Sequence, residues 1–443
     1  MLFSIPTLGE AQYSSPLGLS TVYGDKTCNY VPDAQKLQYN IFQLGEMLDL
    51  DQIPDYSDLA FEIAGPREKL FFDPSQTTCA IVTCGGLCPG INNVIRSIVM
   101  ELSHSYGVRK IIGIRYGFSG LNPKEGHELT MLTPDYVSHI HQMGGTCLSS
   151  SRGNQDPQVM VDELERLGVN ILFTIGGDGT QRGAHAIYEE ISRRGSAISV
   201  IGIPKTIDND IFHVDRCFGF TTAVTKACEA IEAAHVEAKG AWNGIGIVKL
   251  MGRHSGFISA AATLAINEVN FVLIPELPFD LKGPNGFLES LRKRLERKHH
   301  AVIVIAEGAA QEYFDKSDGT DLSGNKVLND SGLFLKSEIS AYMQTKRIPF
   351  TTKYIDPSYI IRSVPAIPGD AIFCHNLGQH AVHAGLAGKT NMLVGWRSNT
   401  FIHIPLHEII NKRKQVNIES PFWLSVLEAT GQPASMVHSP RMY

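Results

Sequence analysis

From Cys79 onward, short apolar runs take turns with longer segments of helical period, and that alternation is the pattern of a mostly parallel sheet covered by helices. The apolar runs predict strands at Cys79 to Thr83, Lys110 to Arg115, Ile171 to Ile175, Ser199 to Ile203, Gly246 to Leu250, Phe271 to Ile274, Ala301 to Ala306 and Asn391 to Val394. Between them the spacing predicts helices at Asn93 to His104, Pro157 to Leu167, Ala184 to Arg193, Thr222 to Lys239, Gly256 to Asn267 and Phe287 to Lys298. Eight strands are too many for one small sheet, and 443 residues suffice for two or three domains that each bury a core. The reading is therefore α/β, as two similar doubly wound three-layer domains. Pro6, Pro16, Pro32, Pro54, Pro66 and Pro74 punctuate the first 75 residues, which read as an N-terminal extension with one helix around Ala34 to Leu48. Residues 76–218, completed by roughly 360–425, make the first expected domain, and residues 219–359 make the second.

Thirty-nine Lys and Arg against 45 Asp and Glu leave a formal charge of −6, so no polycationic field draws in nucleic acid or an anionic membrane surface. An anionic ligand must then be held by a local constellation. The uncharged stretch Gln76 to Ile95, part of the longest such run in the chain, is broken by Thr, Asn, Pro and Gly, whereas a membrane span needs about 20 mostly apolar positions. The first basic residue is Lys26, which argues against a secretory signal, and eight Cys set mostly in apolar text suit reduced thiols. The expectation is a cytoplasmic enzyme.

Chemistry-bearing strings stand where predicted strands end. Cys79 to Thr83 runs into Cys84-Gly85-Gly86-Leu87-Cys88-Pro89-Gly90 and then a helix. Glycines let the main chain approach a phosphate, and first-turn N–H groups favour negative charge. The competing reading is a structural strand-to-helix turn; two thiols without a second pair or a nearby His do not make a zinc site. Ile171 to Ile175 opens into Gly176-Gly177-Asp178-Gly179-Thr180, where backbone N–H groups can cradle phosphates and Asp178 can hold Mg²⁺. The bland alternative is an acidic residue at a helix start. After Ser199 to Ile203 comes Pro204-Lys205-Thr206-Ile207-Asp208-Asn209-Asp210. Asp208 can take a proton from an acceptor hydroxyl there, and otherwise the string is an Asx-rich turn. Met251-Gly252-Arg253-His254-Ser255-Gly256 follows another strand, with Arg253 able to aim its planar fork at phosphate oxygens and His254 reading as structural. Glu307 can accept from sugar hydroxyls or serve as a helix-start carboxylate, and Lys353, Tyr359 and Arg362 put cationic and hydroxyl donors in a loop-like stretch, residue types that are also ordinary on a surface.

These strings together resemble the 6-phosphofructokinase family from Cys79 to about Asn391. Gly176 to Thr180 alone is also similar to NAD kinases and diacylglycerol kinases, but Thr206-Ile207-Asp208-Asn209-Asp210 with Met251-Gly252-Arg253 is not. The resemblance implies nucleotide on one α/β domain, fructose 6-phosphate on the other, and an active-site cleft between them. By position, Gly86, Arg152, Gly153, Gly177, Asp178, Gly179 and Thr180 would surround the ATP phosphates, with Asp178 holding Mg²⁺. Asp208 would be the base that activates the sugar 1-hydroxyl. Thr206, Ile207, Asp208, Met251, Gly252, Arg253, Glu307, Tyr359, Ile360, Ile361 and Arg362 would contact the sugar phosphate, Arg362 taking the 6-phosphate.

Some relatives use pyrophosphate as donor and others ATP. An Asp at position 179, typical of the pyrophosphate users, would put bulk and negative charge where ATP must pass, and Gly179 leaves that space open. Lys205 instead resembles the pyrophosphate users and adds positive charge near the transferring phosphate. The pair resembles the ATP-dependent branch found in plants, trypanosomatids and some bacteria. A non-catalytic sugar-phosphate sensor is the reading of another class, opposed by the intact Asp178, Asp208 and Arg253, and no Gly-x-Gly-x-x-Gly supports a dinucleotide-dependent oxidoreductase. The resemblance further implies a homo-oligomer, with Lys353 in a position that can complete a neighbour's site, while Asn243 and Gly244 stand where short bacterial enzymes carry an arginine.

Overall fold

Thr78–Thr83 is buried at all six positions, which only a strand covered on both faces can satisfy, and it lies among the parallel strands of the first of two units. The computed structural model describes residues 3–39, 59–153, 155–314, 319 and 327–438. In chain order the strands are β1 (Tyr13–Ser14), β2 (Lys36–Gln38), β3 (Ala60–Ile63), β4 (Lys69–Leu70), β5 (Thr78–Thr83), β6 (Lys110–Ile114), β7 (Leu129–Met131), β8 (Ile171–Gly176) and β9 (Ser199–Pro204). They continue as β10 (Gly244–Leu250), β11 (Phe271–Leu273), β12 (His300–Ala306), β13 (Thr351–Ile355), β14 (Met392–Arg397) and β15 (Thr400–Pro405). The helices used below are α1 (Ile91–Met100), α2 (Pro134–Val137), α3 (Pro157–Arg166), α4 (Asp178–Arg194), α5 (Phe220–Lys239), α6 (Phe257–Ile266), α7 (Phe287–Lys298), α8 (Ser331–Thr345) and α9 (Pro368–Leu386).

The first unit comprises Met1–Thr206, Ile211–Gly219 and Pro365–Arg413. Its nine-stranded sheet runs β2-β3-β15-β14-β9-β8-β5-β6-β7. The five central strands, β14 to β6, are parallel, and antiparallel strands close both edges. Numbered among themselves, the parallel five have the order 2-1-3-4-5, whose switch point lies between β5 and β8. Alternate strand residues divide between two helical layers: Ala80, Val82, Ile112, Ile114, Leu172 and Val200 share a core with Met160, Val161, Leu164, Ala184 and Ile187 of α3 and α4. On α1, Val94, Ile95 and Ile98 are buried, and α1 packs against α9.

The second unit comprises Ile207–Asp210, Phe220–Val364 and Lys414–Tyr443. Its sheet, β11-β12-β10-β13, is parallel throughout. Ile245, Ile247, Ala301 and Ile303 face Leu288, Leu291, Leu295, Leu335 and Ile339 of α7 and α8, and α5 and α6 pack on each other and on the strands. Both units are thus three-layered, but four strands against nine make the second much the smaller sheet.

All eight expected strands form, and the expected helices form within a few residues, Ala184 to Arg193 being the later part of α4. The helix expected around Ala34 to Leu48 is corrected at its start: Lys36–Gln38 is strand, pairing with Ala60–Ile63 through Leu37 and Phe61. The rest of that expectation, from residue 40, falls outside the described residues. The first 75 residues do not stand apart from the first unit, because β2 and β3 extend its sheet and Phe3 stacks on Phe61 at 4.3 Å.

Three histidines of the first unit are held neutral. His383, whose Nδ1 lies 2.7 Å from the Tyr106 hydroxyl, and His380 are each pushed down to about 3, chiefly by burial. His213 is pushed down to about 4 for the same first reason, with Arg397 adding to it. Each folded-state value lies below the ordinary one near 6.5, so the unfolded chain binds the extra proton. Their stabilising contribution is present above pH 6.5 and is lost as pH falls toward 4 and then 3. The thermal midpoint followed by circular dichroism is expected to drop steadily from pH 7 to pH 4; equal midpoints at the two ends would contradict neutral burial.

Candidate active site

In the first unit the switch point carries two loops. Residues 84–90 leave β5, and Gly177 follows Gly176, the last residue of β8. The first loop is pinned from two sides: the Cys84 N–H donates to the Ile175 carbonyl at 3.0 Å, and the Gly85 N–H donates to the Ser151 carbonyl at 3.0 Å. The Ser150 hydroxyl returns a bond to the Gly85 carbonyl at 2.6 Å. Arg152 and Gly153 follow in an exposed stretch of this same strap. Lys205, at the carboxyl end of β9, is buried and donates from Nζ to the Gly86 carbonyl. Gly86, Arg152, Gly153 and Lys205 are therefore gathered at one end of the sheet.

The second loop turns directly into α4 with Gly177 as its cap. A Cβ on Gly176 would stand 2.0 Å from Thr180 Oγ1, so no side chain fits there. A Cβ on Gly179 would meet nothing closer than Arg182 Nη2, at 3.7 Å. Gly177, Asp178, Gly179 and Thr180 thus form an open first turn: the Thr180 N–H turns back on the Gly177 carbonyl at 2.9 Å, and the N–H groups ahead of it precede the helical ladder. The Asp178 carboxylate is held by Arg182 and, at 3.4 Å, by Arg413. Among the described residues no group of three or more His, Cys, Asp or Glu can hold a metal ion. A single carboxylate beside an open helix start nevertheless fits the donor set of Mg²⁺, which takes one or two carboxylates and completes its shell with phosphates and water.

In the second unit three adjacent strands end side by side. Leu250 of β10 is level with Ala306 of β12, and Val248 with Ile355 of β13. Met251, Gly252 and Arg253, then Glu307, and then 356–362 therefore emerge at the same edge, the one where ligands bind in parallel sheets. Gly252 has φ of 126°, and its carbonyl accepts from the Gly308 N–H at 3.1 Å, which locks the Arg253 loop to the Glu307 loop. Asp208 joins them: the Ser255 hydroxyl donates to its carbonyl at 3.0 Å. Burial first, and then Asp210 and Glu307, hold the Asp208 carboxyl well above the usual carboxylate range, while Arg253 and Arg362 draw it back. Glu307 is raised by burial, with Arg253, Lys249 and Arg362 opposing. Arg362 lies over the Tyr359 ring at 4.9 Å, Ile361 is buried, and Tyr359 and Ile360 are exposed. Ile207 is buried and Thr206 partly so, the chain passing from the first unit to the second between them.

Sequence reasoning passed over Lys249. Its ammonium bridges Asp356 at 2.8 Å and Asp330 at 2.9 Å, so it ties the segment leading to Arg362 back onto β10. The signal was a lysine inside Gly244-Ile245-Gly246-Ile247-Val248-Lys249-Leu250, an otherwise uncharged and buried strand. His254 lends its carbonyl to Gln415 at 3.1 Å, a structural part. Lys353 pairs with Glu237 at 3.4 Å, both side chains half exposed.

Residues 78–385 match the family described as phosphofructokinase. The chain belongs to the phosphofructokinase family. Across 441 residues this family member is 49% identical to an ATP-dependent 6-phosphofructokinase of Borreliella burgdorferi, covering 98% of this chain and 97% of that protein. It is 45% identical to an ATP-dependent 6-phosphofructokinase of Amycolatopsis methanolica, covering 96% and 94%, and 46% identical to one of Trypanosoma cruzi, covering 84% and 77%. Among solved structures, a pyrophosphate-dependent phosphofructokinase from Marinobacter aquaeolei superposes with a TM-score of 0.67 at 22% identity, covering 81% of this chain and 92% of that one. A Pichia pastoris phosphofructokinase in the T-state gives 0.62 at 20%, covering 80% and 39%. At such identities the solved structures speak for the fold alone.

Proposed function

We propose that this phosphofructokinase family member transfers the γ-phosphoryl group of ATP to the 1-hydroxyl of fructose 6-phosphate, giving fructose 1,6-bisphosphate and ADP. The observation that carries the choice of donor is the room at Gly179, where the nearest atom to an added Cβ is the end of a flexible arginine. The ATP phosphates take the glycine loops of the first unit, with Asp178 as the carboxylate ligand of Mg²⁺. The bound ion supplies charge neutralisation on the phosphates. The sugar phosphate is held by Arg253, Glu307, Tyr359 and Arg362, and Lys249 positions the last two through Asp356.

Phosphoryl transfer asks mainly for alignment and electrostatic stabilisation. The 1-hydroxyl oxygen bonds to the γ-phosphorus, its proton passes to Asp208, and the bond from that phosphorus to the bridging oxygen breaks, leaving ADP. A carboxyl held above its usual range is a stronger base than an exposed one, which suits this step. The protein acts in the cytoplasm, among the described residues no helix is long and apolar enough to cross a membrane, and it assembles as a homo-oligomer of the kind common in its family.

Lys205 favours a second reading, pyrophosphate as donor, because its buried ammonium beside the Gly86 carbonyl can neutralise a compact diphosphate. The deciding experiment incubates the pure protein with fructose 6-phosphate and Mg²⁺, with ATP or pyrophosphate in parallel. Fructose 1,6-bisphosphate is expected with ATP. Product from pyrophosphate alone overturns the donor, and product from neither leaves the sensor reading standing.

A further inference from the structure

Within the first unit, residues of the N-terminal extension and the segment after α9 line a half-open cavity of about 570 Å³, inside the usual range for small-molecule sites. Its floor holds two buried cations. Arg67 is 6% exposed and Lys389 is 4% exposed. The largely buried Glu62, its side chain 12% exposed, serves both, accepting from Arg67 Nη2 at 2.6 Å and from Lys389 Nζ at 3.1 Å, and also meets His403 Nδ1 at 3.0 Å. One buried carboxylate against two buried cations leaves a positive charge. Asp33 neutralises it, its Oδ1 accepting from Arg67 Nε at 2.6 Å and its Oδ2 pairing with Lys389 Nζ at 2.9 Å. Unlike its partners, the Asp33 side chain is 62% exposed and reaches in from outside.

Position separates this cavity from the phosphate cradles. The Lys389 carbonyl accepts from the Ser199 hydroxyl at 2.6 Å, at the amino end of β9, whereas Lys205 follows the carboxyl end of that strand. Six residues of strand span roughly 20 Å.

We propose that the cavity is a binding site for a small hydroxy- or amino-substituted carboxylic acid, whose carboxylate replaces that of Asp33 between Arg67 and Lys389. The protein's own stand-in there is a carboxylate, held through both oxygens, so the pair of cations already has the geometry of carboxylate recognition. Glu10 and Glu68 also line the space, and with Asp33 and Glu62 they set four carboxylates against Arg67, Lys69 and Lys389. That balance repels a dianion and offers acceptors to a hydroxyl or ammonium on the ligand. Tyr23 and Tyr30 supply ring surface for its carbon skeleton.

Asp33→Ala and, as a milder change, Asp33→Asn test the site, since an exposed carboxylate can be removed without opening the core. Calorimetric titration of the full chain uses lactate, serine, acetate and inorganic phosphate, with chloride at matched ionic strength. Lactate or serine is expected to bind the unmodified protein and to bind Asp33→Ala at least tenfold more tightly, because the internal competitor is gone. Acetate is expected to raise the melting midpoint of Asp33→Ala above that of its chloride control. Crystals of the variant soaked in lactate should place the carboxylate between Arg67 Nε and Lys389 Nζ. Affinity unchanged by Asp33→Ala overturns the site. Binding to the variants but never to the unmodified protein makes Asp33 a permanent plug and overturns it too. A preference for phosphate overturns the carboxylate assignment.

Discussion

Asp208→Asn is expected to lower turnover by roughly 10² to 10⁴-fold, the usual worth of a positioned proton acceptor, while fructose 6-phosphate binding changes little. Asn keeps the shape of the side chain among Arg253, Arg362 and Glu307, so the loss falls on kcat rather than KM. Two further readouts separate a base from a merely structural residue. The unmodified enzyme should lose kcat/KM as pH falls through the raised Asp208 value, and the variant should lack that limb. The same raised value means that ionised Asp208 costs stability at neutral pH: its contribution is fully present below the unfolded carboxylate range and disappears as pH rises through the folded value. Asp208→Asn should therefore melt higher than the parent while working far worse, the trade expected when a catalytic group is kept under strain. Near-normal turnover in the variant would remove Asp208 from the base role.

Gly179→Asp is expected to depress kcat/KM with ATP by at least about 100-fold, or ~2.7 kcal/mol, with a far smaller effect on any pyrophosphate-dependent rate. The fold should not suffer, because the added Cβ has ordinary room against Arg182 and a carboxylate on the first turn of α4 suits the helix dipole. An unchanged melting midpoint beside collapsed ATP use is the signature. Equal losses with both donors would dismiss the steric and electrostatic argument, and a melted protein would show that the position has no room after all.

The parallel cores were legible because buried strands of this kind are nearly continuous apolar runs bounded by Gly, Pro and Asp, and all eight were found. Strands of another character escaped. β13, Thr351 to Ile355, sits at a sheet edge with no buried residue, so its text looks like a loop. β15 pairs antiparallel with β14 after the two-residue turn Ser398-Asn399, a hairpin signal hidden by the tail of the preceding apolar run. α9 was missed for the opposite reason: its last turns, Ala381 through Leu386, are buried on every side, and the exposed Ile372 near its start is apolar, so no polar face sets a period. At the candidate site, the strings after β5, β8, β9, β10 and β12 announced themselves through glycines and charges at strand ends. Lys249, Asp330 and Asp356 did not, since their meaning lies in a contact among residues far apart in the chain.

The contrast between Gly176 and Gly179 bears on heredity as much as on shape. At the first position Thr180 stands where any side chain would go, so every missense codon is penalised. At the second, one G-to-A transition in a GGC or GGT triplet writes aspartate into a place that accommodates it. On the donor reading proposed above, a lineage with such a codon stands a single point mutation from giving up ATP, while Gly176 and Gly177 ahead of it hold the turn into the helix constant.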